Sequence, residues 1–436
     1  MHLQQRVFYF YHMLSLHLLR QDPERVIKAL SKRNIDAKPI VDKILLINEQ
    51  RREIQNKTES RKAESNKTAK LIGGLVRDGK TSEVNEIKSK TASIKKELLI
   101  LEKRLLDLES KEKEILLSLP NIPHSSVKQG SSSKENEIIS TWEKTREKSI
   151  DGLIPHWDLA SKYNLIDFER GVKVTGAGFP IYTGNGARLQ RALIQFFLDK
   201  NTQEGYMEIQ PPYFVNEDSS FGTGQLPDKE GQMYHIQNDN LFAIPTSEIP
   251  LTNLFRNEII DESELPIKMT AYSPCFRREA GSYGKDVRGL NRLHQFDKVE
   301  IVCITNPDNS YQRLDTMVNH VGGILKDLGL QFRVLRLCGG DMGFTSALTY
   351  DFEVWSAAQQ RWLEVSSVSN FETFQTNRLK LRFRDKNNKI SLAHTLNGSA
   401  LALPRIMAAI LENNQSPDGI TIPAVLHKYT GFKIIS

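Results

Sequence analysis

Two sets of apolar residues at coiled-coil spacing occupy the first third of the chain. The downstream set repeats at intervals of seven, four, three, four, three and seven residues, as expected for a helix with one apolar seam. Its members are Ile87, Ile94, Leu98, Leu101, Leu105, Leu108 and Ile115. The upstream set follows the same register and comprises Ile40, Ile44, Ile47, Ile54, Ile72 and Leu75. The pattern predicts two helices that pack along their seams.

Turn-forming residues separate the two predicted helices. They are Gly73, Gly74 and the run Asp78-Gly79-Lys80. The helices therefore form an antiparallel hairpin, and about 37 residues per arm would reach roughly 55 Å. Polar residues at several seam positions indicate that the distal half of the hairpin is loosely packed. These are Arg51, Thr58, Arg61, Ser65 and Thr68.

The pattern changes after the hairpin. Pro120, Pro123 and the stretch SSVKQGSSSKENE mark a linker over residues 120–137, and helix and strand patterns mix beyond it. Residues 186–201 predict an amphipathic helix, which is followed by GYMEIQPPYFV, a strand interrupted by two prolines. Prolines at that place fit an edge or interface strand better than a central one. A buried helix and an edge strand without any further role explain the same pattern.

Composition places the chain in the soluble globular class. Its 436 residues, 39% apolar and 26% charged, can fill two or three domains. The apolar stretch that ends at Leu19 is interrupted by His12 and His17, so we expect neither a membrane span nor a secretory signal. Three widely spaced cysteines indicate a cytosolic protein without a disulfide framework or a zinc cluster. They are Cys275, Cys303 and Cys338.

Basic residues are concentrated on the predicted hairpin. Residues 51–100 contain thirteen lysines and arginines against seven aspartates and glutamates. A protruding basic rod suits the phosphate backbone of a structured RNA, which is recognised by shape rather than by base sequence. The same run also fits a solvated coiled-coil face of mixed charge, and charge alone favours that interpretation.

In two segments of the C-terminal half, an arginine lies close in sequence to small residues and to polar residues. They are FRREAGSYGKDVRGLNRLHQFDKVE at residues 276–300 and NGSALALPRIMAAILENN at residues 397–414. The planar fork of arginine grips phosphate oxygens in a bidentate way, so both segments suit a nucleoside triphosphate. Together they resemble motifs 2 and 3 of the class II aminoacyl-tRNA synthetases, and the surrounding residues resemble the seryl-tRNA synthetase family. The resemblance covers nearly the whole chain after Met13.

The resemblance implies an α+β organisation with a helical arm. Residues 1–12 would be an extension or a misassigned start. Residues 13–119 would form the tRNA-binding arm, residues 120–137 the linker, and residues 138–436 a catalytic domain whose antiparallel sheet is flanked by helices. The helix at residues 186–201 and the strand after it resemble motif 1, which implies a homodimer.

The implied activity is serine–tRNA ligation in the cytoplasm. Serine would react with ATP to give seryl-adenylate and then pass to the 3′ end of tRNA(Ser), while the use of tRNA(Sec) stays open. The serine carboxylate is already a nucleophile, so positioning and charge stabilisation carry the reaction without a general base. In this family the hairpin grips the long variable arm of serine tRNA. Mg²⁺ is the one metal implied, and zinc is not expected.

The resemblance also implies a role for each nucleotide-site residue. Arg277 bridges the α-phosphate and the serine carboxylate, and Arg405 holds the γ-phosphate, which makes these two the expected catalytic residues. Phe296 stacks on adenine. Glu279 accepts from the adenine amine, and we expect it on the same strand face as Arg277. The whole expected ATP-binding set is Arg277, Arg278, Glu279, Phe296, Glu364, Val365, Ser366, Ser367 and Arg405.

Metal and serine sites are implied in the same way. Glu364 and Ser367 would bind Mg²⁺, which prefers a few protein oxygens together with phosphate oxygens and water. A pocket built to hydrogen-bond a hydroxyl rejects alanine, because its polar groups would then lack partners. Glu248 or Glu300 would take the substrate ammonium, and threonine would lack room for its methyl group. The serine-binding set is Thr246, Ser247, Glu248, Arg277, Glu300 and Ser399.

Other functions remain as alternatives. The first is a noncatalytic RNA-binding paralogue that keeps the hairpin but has a dead site. The intact site residues argue against it, namely Arg277, Glu279, Glu364, Ser367 and Arg405. A ligase that charges a carrier protein and a zinc-dependent seryl enzyme are disfavoured by the long arm and the lack of a suitable cysteine. Four positions depart from the common family pattern, namely Ser247, Arg278, Val368 and Pro404. Arg278 adds a charge near the nucleotide, and Pro404 requires a helix that begins at or after it, or that bends there.

Overall fold

A computed structural model describes most of the chain, namely residues 16–143, 152–280 and 288–436. These residues form two compact units. One contains residues 16–31 and 35–120, and the other contains residues 32–34, 121–143, 152–280 and 288–436. The N-terminal extension proposed for residues 1–12 lies outside the described residues. No helix within the described ranges is both long enough and apolar enough to cross a membrane.

All regular elements in the described part of the first unit are helices. Its helices are α1 (Leu16–Gln21), α2 (Pro23–Ser31), α3 (Lys38–Arg77) and α4 (Thr81–Ser118). Helices α3 and α4 pack against each other as the predicted hairpin, since Arg61 near the middle of α3 pairs with Glu97 of α4 and Arg51 pairs with Glu112. Every predicted seam residue is buried or partly buried. The prediction of an antiparallel hairpin is confirmed.

The turn between the two long helices is shorter than predicted. It consists of Asp78, Gly79 and Lys80, with Gly79 in the left-handed region at φ +72°. Gly73 and Gly74 lie inside α3, so their assignment to the turn was wrong. Each glycine costs a helix about 1 kcal/mol relative to alanine, and packing of the partly buried seam residues on either side offsets that cost.

A polar cluster interrupts the apolar seam of the hairpin. Glu112 of α4 is buried and accepts a 2.7 Å hydrogen bond from Asn48 Nδ2. Its other carboxylate oxygen lies 3.1 Å from Arg51 Nε. A one-residue slip between the helices would leave a buried charge without its partner. The cluster therefore favours one register of α3 against α4.

Replacing Glu112 with alanine is expected to lower the free energy of unfolding of the hairpin by about 3–5 kcal/mol, because the buried Arg51 charge loses its partner. Urea unfolding together with hydrogen exchange across α3 and α4 measures the effect. Glu114→Ala is the matched control, since Glu114 is exposed two residues along the same helix, and it should cost less than about 0.5 kcal/mol. Equal losses in both variants would show that the buried pair has no special role.

The second unit combines helices with several sheets. Its helices are α5 (His156–Lys162), α6 (Phe168–Val174), α7 (Gly184–Gln203), α8 (Glu217–Thr223), α9 (Glu248–Asn253), α10 (Ser310–Asp327), α11 (Phe374–Leu379), α12 (Leu403–Asn413) and α13 (His427–Thr430). The strands of its largest sheet are β1 (Glu137–Trp142), β4 (Met207–Glu208), β9 (Ile267–Phe276), β10 (Gln295–Thr305), β11 (Phe332–Arg336), β12 (Leu348–Ser356), β13 (Arg361–Glu372) and β16 (His394–Ala402). The shorter strands are β2 (Ile166–Asp167), β3 (Ile181–Tyr182), β5 (Phe214–Asn216), β6 (His235–Ile236), β7 (Leu241–Ala243), β8 (Ile259–Asp261), β14 (Arg382–Arg384), β15 (Ile390–Leu392), β17 (Gln415–Ser416), β18 (Gly419–Thr421) and β19 (Ile434–Ile435).

The largest sheet has the strand order β1-β11-β12-β13-β16-β10-β9-β4. All neighbours pair antiparallel except β4, which is parallel to β9 at one edge. This agrees with the predicted antiparallel sheet, apart from its edge strand. Strand β4 ends at Glu208, before Pro211 and Pro212, and the chain then enters β5 of a separate three-stranded sheet. The edge position predicted for the proline-containing segment is confirmed.

Helices α7, α10 and α12 supply apolar residues to one core with the largest sheet. In α7 the predicted apolar side is buried, at Leu189, Ala192, Leu193, Phe196 and Phe197. Helix α12 begins at Leu403, so Pro404 lies in its first turn, where the missing N–H costs no helical hydrogen bond. The departure at Pro404 is therefore compatible with a straight start of this helix.

Candidate functional site

Strands β10 and β16 lie side by side at the centre of the candidate site. Along β10, Phe296, Lys298 and Glu300 occupy alternate positions, which project to the same face of a strand. In β16, Ser399 lies opposite Glu300 in the pairing register, and Asn397 precedes Ser399 by two residues. The sheet thus brings residues from two distant sequence motifs to one face.

Two buried carboxylates share a single amide in this region. Asn397 Nδ2 donates to Glu248 Oε2 at 2.8 Å and to Glu300 Oε1 at 3.0 Å. Gln375 of α11 donates to the other oxygen of Glu248 at 2.6 Å. Glu300 is completely buried, and Glu248 is 6% exposed. The arrangement concentrates negative charge where a small cation could be received.

Lys298 partly balances this charge from the same strand. Its Nζ lies 2.5 Å from Glu300 Oε2 and donates to Thr246 Oγ1 at 2.8 Å. Thr246 Oγ1 also accepts from the Glu248 amide at 3.2 Å, and Ser399 Oγ lies 3.5 Å from Glu300 Oε2. Thr246, Glu248, Glu300 and Ser399, four of the residues predicted to bind serine, therefore belong to one buried network.

Burial, and then the nearby Glu300 carboxylate, raise the pKa of Glu248 to about 7. The hydrogen bond from Gln375 and the charges of Lys298 and Arg277 act in the opposite direction but do not cancel the rise. Glu248 can therefore hold a proton near neutral pH when no cation is present. A bound ammonium would favour its ionised form.

Glu248 is expected to make stability depend on pH. Its pKa is about 7 in the folded chain against an ordinary 4.5, so the folded state holds an extra proton between these values. Stability that is present below pH 4.5 is then lost as pH rises through 7, by about 3 kcal/mol. Urea unfolding from pH 4.5 to pH 8 measures the free energy of unfolding. It should fall with pH in the wild type but not in Glu248→Gln. The exposed Glu258→Gln variant is the control, and a wild-type loss no larger than that of Glu248→Gln would contradict the expectation.

Ser247 takes a different position from its neighbours. It is completely buried, and its hydroxyl lies 2.6 Å from that of Ser273 on β9. No described hydrogen bond joins it to Glu248 or Glu300. The structure thus brings together the residues on either side of Ser247 but directs the Ser247 side chain toward β9.

Arg277 and Phe296 meet at the end of β9. The Arg277 guanidinium carbon lies 5.2 Å from the centre of the Phe296 ring, within cation–π range. The Arg277 amide donates to the carbonyl oxygen of His294 at 2.9 Å, which ties the start of the connecting loop to its end. Both side chains are partly buried. The predicted arginine and the predicted stacking ring are therefore neighbours.

Glu279 does not lie on a strand, so the reasoning that placed it on the strand face of Arg277 was wrong. Strand β9 ends at Phe276, and Glu279 has a left-handed backbone with φ +50°. Its carboxylate pairs with the guanidinium of Arg292. Arg278 is exposed, and its amide donates to the carbonyl oxygen of Gln232 at 2.8 Å.

Arg405 lies in the first turn of α12 and contacts two backbone carbonyls. Its Nη1 donates to the carbonyl oxygen of Glu364 at 2.7 Å, and its Nε donates to that of Asn291 at 3.0 Å. These bonds use two of the five N–H donors of the guanidinium. Arg405 thus joins α12 to β13 and to the loop before β10, while its side chain stays partly exposed.

The segment Glu364 to Ser367 lies on β13. Val365 and Ser366 are buried, and Ser366 Oγ donates to the carbonyl oxygen of Ser399 at 2.5 Å. They therefore support the sheet, whereas the side chain of Glu364 is 53% exposed. Ser367 lies opposite Asp351 of β12 in the pairing register and hydrogen-bonds to its carboxylate.

The exposed carboxylate and nearby hydroxyl fit a hard cation. Within residues 16–143, 152–280 and 288–436, no group of three or more His, Cys, Asp or Glu side chains could hold a metal ion by itself. Mg²⁺ that is bound mostly by phosphate oxygens and water needs fewer protein ligands. Asp351 Oδ1 is buried without a hydrogen-bond partner among the described residues. Burial, and then the Glu364 charge, hold the pKa of Asp351 well above its usual range, a condition that a nearby cation would relieve.

Several site residues were not predicted from the sequence. Lys298 could have been found, because it lies between Phe296 and Glu300 at the alternate spacing of a strand. Asn397 could have been found in the same way from Ser399. Gln375 gives no comparable signal, since α11 brings it to Glu248 from a separate part of the chain.

Comparisons with known proteins cover both units. Residues 13–123 match the seryl-tRNA synthetase N-terminal domain, and residues 233–414 match the tRNA synthetase class II core domain (G, H, P, S and T). A serine–tRNA ligase of Salinibacter ruber is 51% identical over 96% of this chain and 98% of its own length. The seryl-tRNA synthetase of Pyrococcus horikoshii, solved with ATP, is 35% identical and has a TM-score of 0.89. The match covers 97% of this chain and 99% of the Pyrococcus chain. A cytoplasmic serine–tRNA ligase from Naegleria fowleri, solved with AMP, is 26% identical and has a TM-score of 0.85. The match covers 98% of this chain and 99% of the Naegleria chain.

Proposed function

Since the chain belongs to the seryl-tRNA synthetase family of class II aminoacyl-tRNA synthetases, we propose that it is a serine–tRNA ligase. It activates serine with ATP and transfers the seryl group to the 3′ end of tRNA(Ser). One observation carries the proposal. Two buried carboxylates, Glu248 and Glu300, share an amide on the sheet whose strand β9 ends just before Arg277 and whose strand β10 carries Phe296. An ammonium site is thereby joined to a phosphate and adenine site.

The amino acid binds through charge and hydroxyl contacts. Glu248 and Glu300 receive the ammonium, which replaces the proton that Glu248 can hold in the empty pocket. Thr246 and Ser399 offer hydroxyl groups to the serine side chain. Buried polar groups that expect a hydroxyl partner disfavour alanine, because that substrate leaves them unpaired. Ser247 contributes by holding the loop on Ser273.

Activation then depends on how the two substrates are placed. Arg277 bridges the serine carboxylate and the α-phosphate, adenine stacks on Phe296, and the adenine amine donates to Glu279 beside Arg292. The carboxylate oxygen forms a bond to the α-phosphorus, and the bond to the bridging oxygen of the leaving pyrophosphate breaks. Two N–H groups of Arg405 bond to backbone carbonyls, and its remaining N–H groups stabilise the γ-phosphate. Arg278 lies near the phosphates and adds positive charge.

Metal binding belongs to the same proposal. Glu364 and Ser367 would hold Mg²⁺, with Val365 and Ser366 fixing the strand between them. When bound, Mg²⁺ neutralises charge on the phosphate oxygens. No zinc is involved in the proposed reaction.

The seryl group is then transferred to tRNA by a homodimeric enzyme. The 3′ hydroxyl of the tRNA attacks the acyl carbon of seryl-adenylate, and AMP leaves. Residues 13–119 form the tRNA-binding arm, residues 120–137 the linker, and residues 138–436 the catalytic domain. The edge strand β4, whose Met207 is 57% exposed, and α7 form the interface of a homodimer. We place the enzyme in the cytoplasm, and tRNA(Sec) is a second acceptor to be tested with purified transcripts.

The deciding experiment is amino-acid-dependent exchange of pyrophosphate into ATP, run with each of the twenty amino acids and Mg²⁺ but without tRNA. Exchange with serine alone is the expected result. Exchange with another amino acid would refute the assignment of the pocket. No exchange with any amino acid would favour the RNA-binding paralogue with a dead site.

A further inference from the structure

A buried histidine and a buried glutamate connect α5 with α12 beside the loop before β10. His156, the first residue of α5, and Glu412 of α12 are both completely buried. His156 Nδ1 lies 2.6 Å from Glu412 Oε1, and the Leu290 amide donates to His156 Nε2 at 2.8 Å. Because Nε2 accepts, the ring proton is on Nδ1 and is donated to Glu412. The imidazole is therefore a neutral bridge between α12 and residue 290.

The Glu412 carboxylate is held by further donors. It also accepts from the His156 amide at 3.0 Å, from Gln359 Nε2 at 2.9 Å, and from the Ser356 hydroxyl. These contacts satisfy both carboxylate oxygens in a completely buried place. Glu412 and His156 consequently have defined positions, as a positioning pair requires.

The bridge ends next to a residue that Arg405 contacts. Leu290 precedes Asn291, whose carbonyl oxygen accepts from Arg405 Nε at 3.0 Å, and Arg292 then pairs with Glu279. Arg405 and Glu412 are seven residues apart on α12, about two turns, so they lie on the same side of the helix. Helix α12 therefore holds the loop before β10 at two successive residues.

Space behind the loop is also limited. Gly289 has φ +66°, and a Cβ at this position would come within 2.3 Å of His156 Nε2. Glycine thus lets the backbone approach the imidazole closely enough for the Leu290 hydrogen bond. The contact depends on close packing as well as on the donor and acceptor.

We propose that His156 is a positioning residue for ATP, which acts by fixing the Leu290 backbone and hence the Asn291 carbonyl that orients Arg405. The inference rests on the proposed function, because it assigns Arg405 to the γ-phosphate. His156 itself touches neither substrate. Its loss should therefore affect the handling of ATP and leave serine binding nearly unchanged, since Glu248 and Glu300 belong to a different network.

The test compares His156→Phe with His156→Gln. Phenylalanine keeps the ring but offers neither bond, whereas glutamine supplies one donor and one acceptor. His156→Phe is expected to raise the KM for ATP about tenfold or more in serine-dependent pyrophosphate exchange, with the KM for serine within about twofold. His156→Gln should recover part of the ATP affinity. Hydrogen exchange of a peptide covering residues 288–293 should become faster in His156→Phe.

A matched control is His320→Phe, because His320 is a partly buried histidine bonded to Asn201 Oδ1 at 2.7 Å. It should lower the melting temperature without changing the KM for ATP. If His156→Phe behaves like this control, His156 has a structural role only and the proposal fails. Should His156→Phe not fold, Glu412→Gln carries the same test, because it weakens the anchor of the imidazole while keeping the side-chain size.

Failure of the proposed function would look different. A wild-type chain that exchanges no pyrophosphate with serine refutes the ligase assignment. The Leu290 contact is then tested by hydrogen exchange alone, with and without ATP. Unchanged exchange at residues 288–293 in His156→Phe would overturn the positioning role whatever the activity.

Discussion

Replacing Arg277 with alanine is expected to lower kcat/KM for serine-dependent pyrophosphate exchange by about 10²–10³-fold, the usual effect of removing one donor that stabilises developing charge. The guanidinium is placed over Phe296 and partly buried, so water cannot supply an equivalent contact. Arg277→Lys should recover only part of the loss, because lysine keeps the charge but not the planar fork. Steady-state kinetics with ATP and serine varied separately measure both variants.

Arg170→Ala is the control for this experiment. The Arg170 side chain is 78% exposed and pairs with Asp167 three residues earlier, so its loss should leave exchange within about twofold of the wild type. If Arg277→Ala stays within about tenfold of the wild type, the proposed bridge between serine carboxylate and α-phosphate is wrong. Circular dichroism verifies that each variant is folded.

Shortening the arm is expected to separate the two half-reactions. Removing residues 61–97 and joining the helices with a short glycine-containing turn keeps the Asn48, Arg51 and Glu112 cluster at the base of the hairpin. Charging of tRNA(Ser) should fall by about 100-fold or more, since the lost surface carries many of the basic side chains that would meet the phosphate backbone. Pyrophosphate exchange without tRNA should be unchanged. Normal charging by the shortened protein would contradict the assignment of the arm.

A milder pair of variants tests the charge on the arm directly. Some basic residues are paired across the hairpin, as Lys62 is with Glu102 at 2.8 Å and Lys90 with Glu64 at 3.0 Å. The first variant changes the exposed Lys67, Lys70 and Lys88 to glutamine. The slope of the logarithm of the tRNA binding constant against the logarithm of the salt concentration should become shallower by about one for each lost phosphate contact. The matched control neutralises exposed carboxylates instead. It changes Glu49, Glu59 and Glu86 to glutamine and should not weaken binding.

The hairpin was predictable because its signal is periodic. Apolar residues at heptad spacing persist over many turns, and burial of the seam follows directly from that spacing. The position of the turn was less predictable, since glycine disfavours a helix only weakly and the packing of neighbouring residues decides the outcome. The buried Glu112 cluster was not predicted, because an isolated glutamate in a charged helix does not reveal which partner it meets.

The relative placement of the candidate site residues was predictable where strands impose alternation. Glu300 and Ser399 were identified individually from the family resemblance, and their direct pairing follows from the antiparallel register of β10 and β16. Glu279 shows the limit of that reasoning, because the strand ends three residues before it and the backbone turns into the left-handed region. Contacts between distant segments, such as Gln375 with Glu248 or His156 with Leu290, depend on tertiary packing and have no local sequence signal.

Strand β10 also sets a length for ligands of the proposed site. Phe296 and Glu300 are four residues apart on one strand, a separation of about 13 Å at the usual rise of an extended chain. An inhibitor that stacks a base on Phe296 and places an ammonium at Glu300 must bridge that interval. We therefore expect a stable mimic of seryl-adenylate to bind best when the group that joins its nucleoside to its serine part is as long as a single phosphate. With a longer joining group, either the stacking on Phe296 or the ammonium contact with Glu300 should be lost.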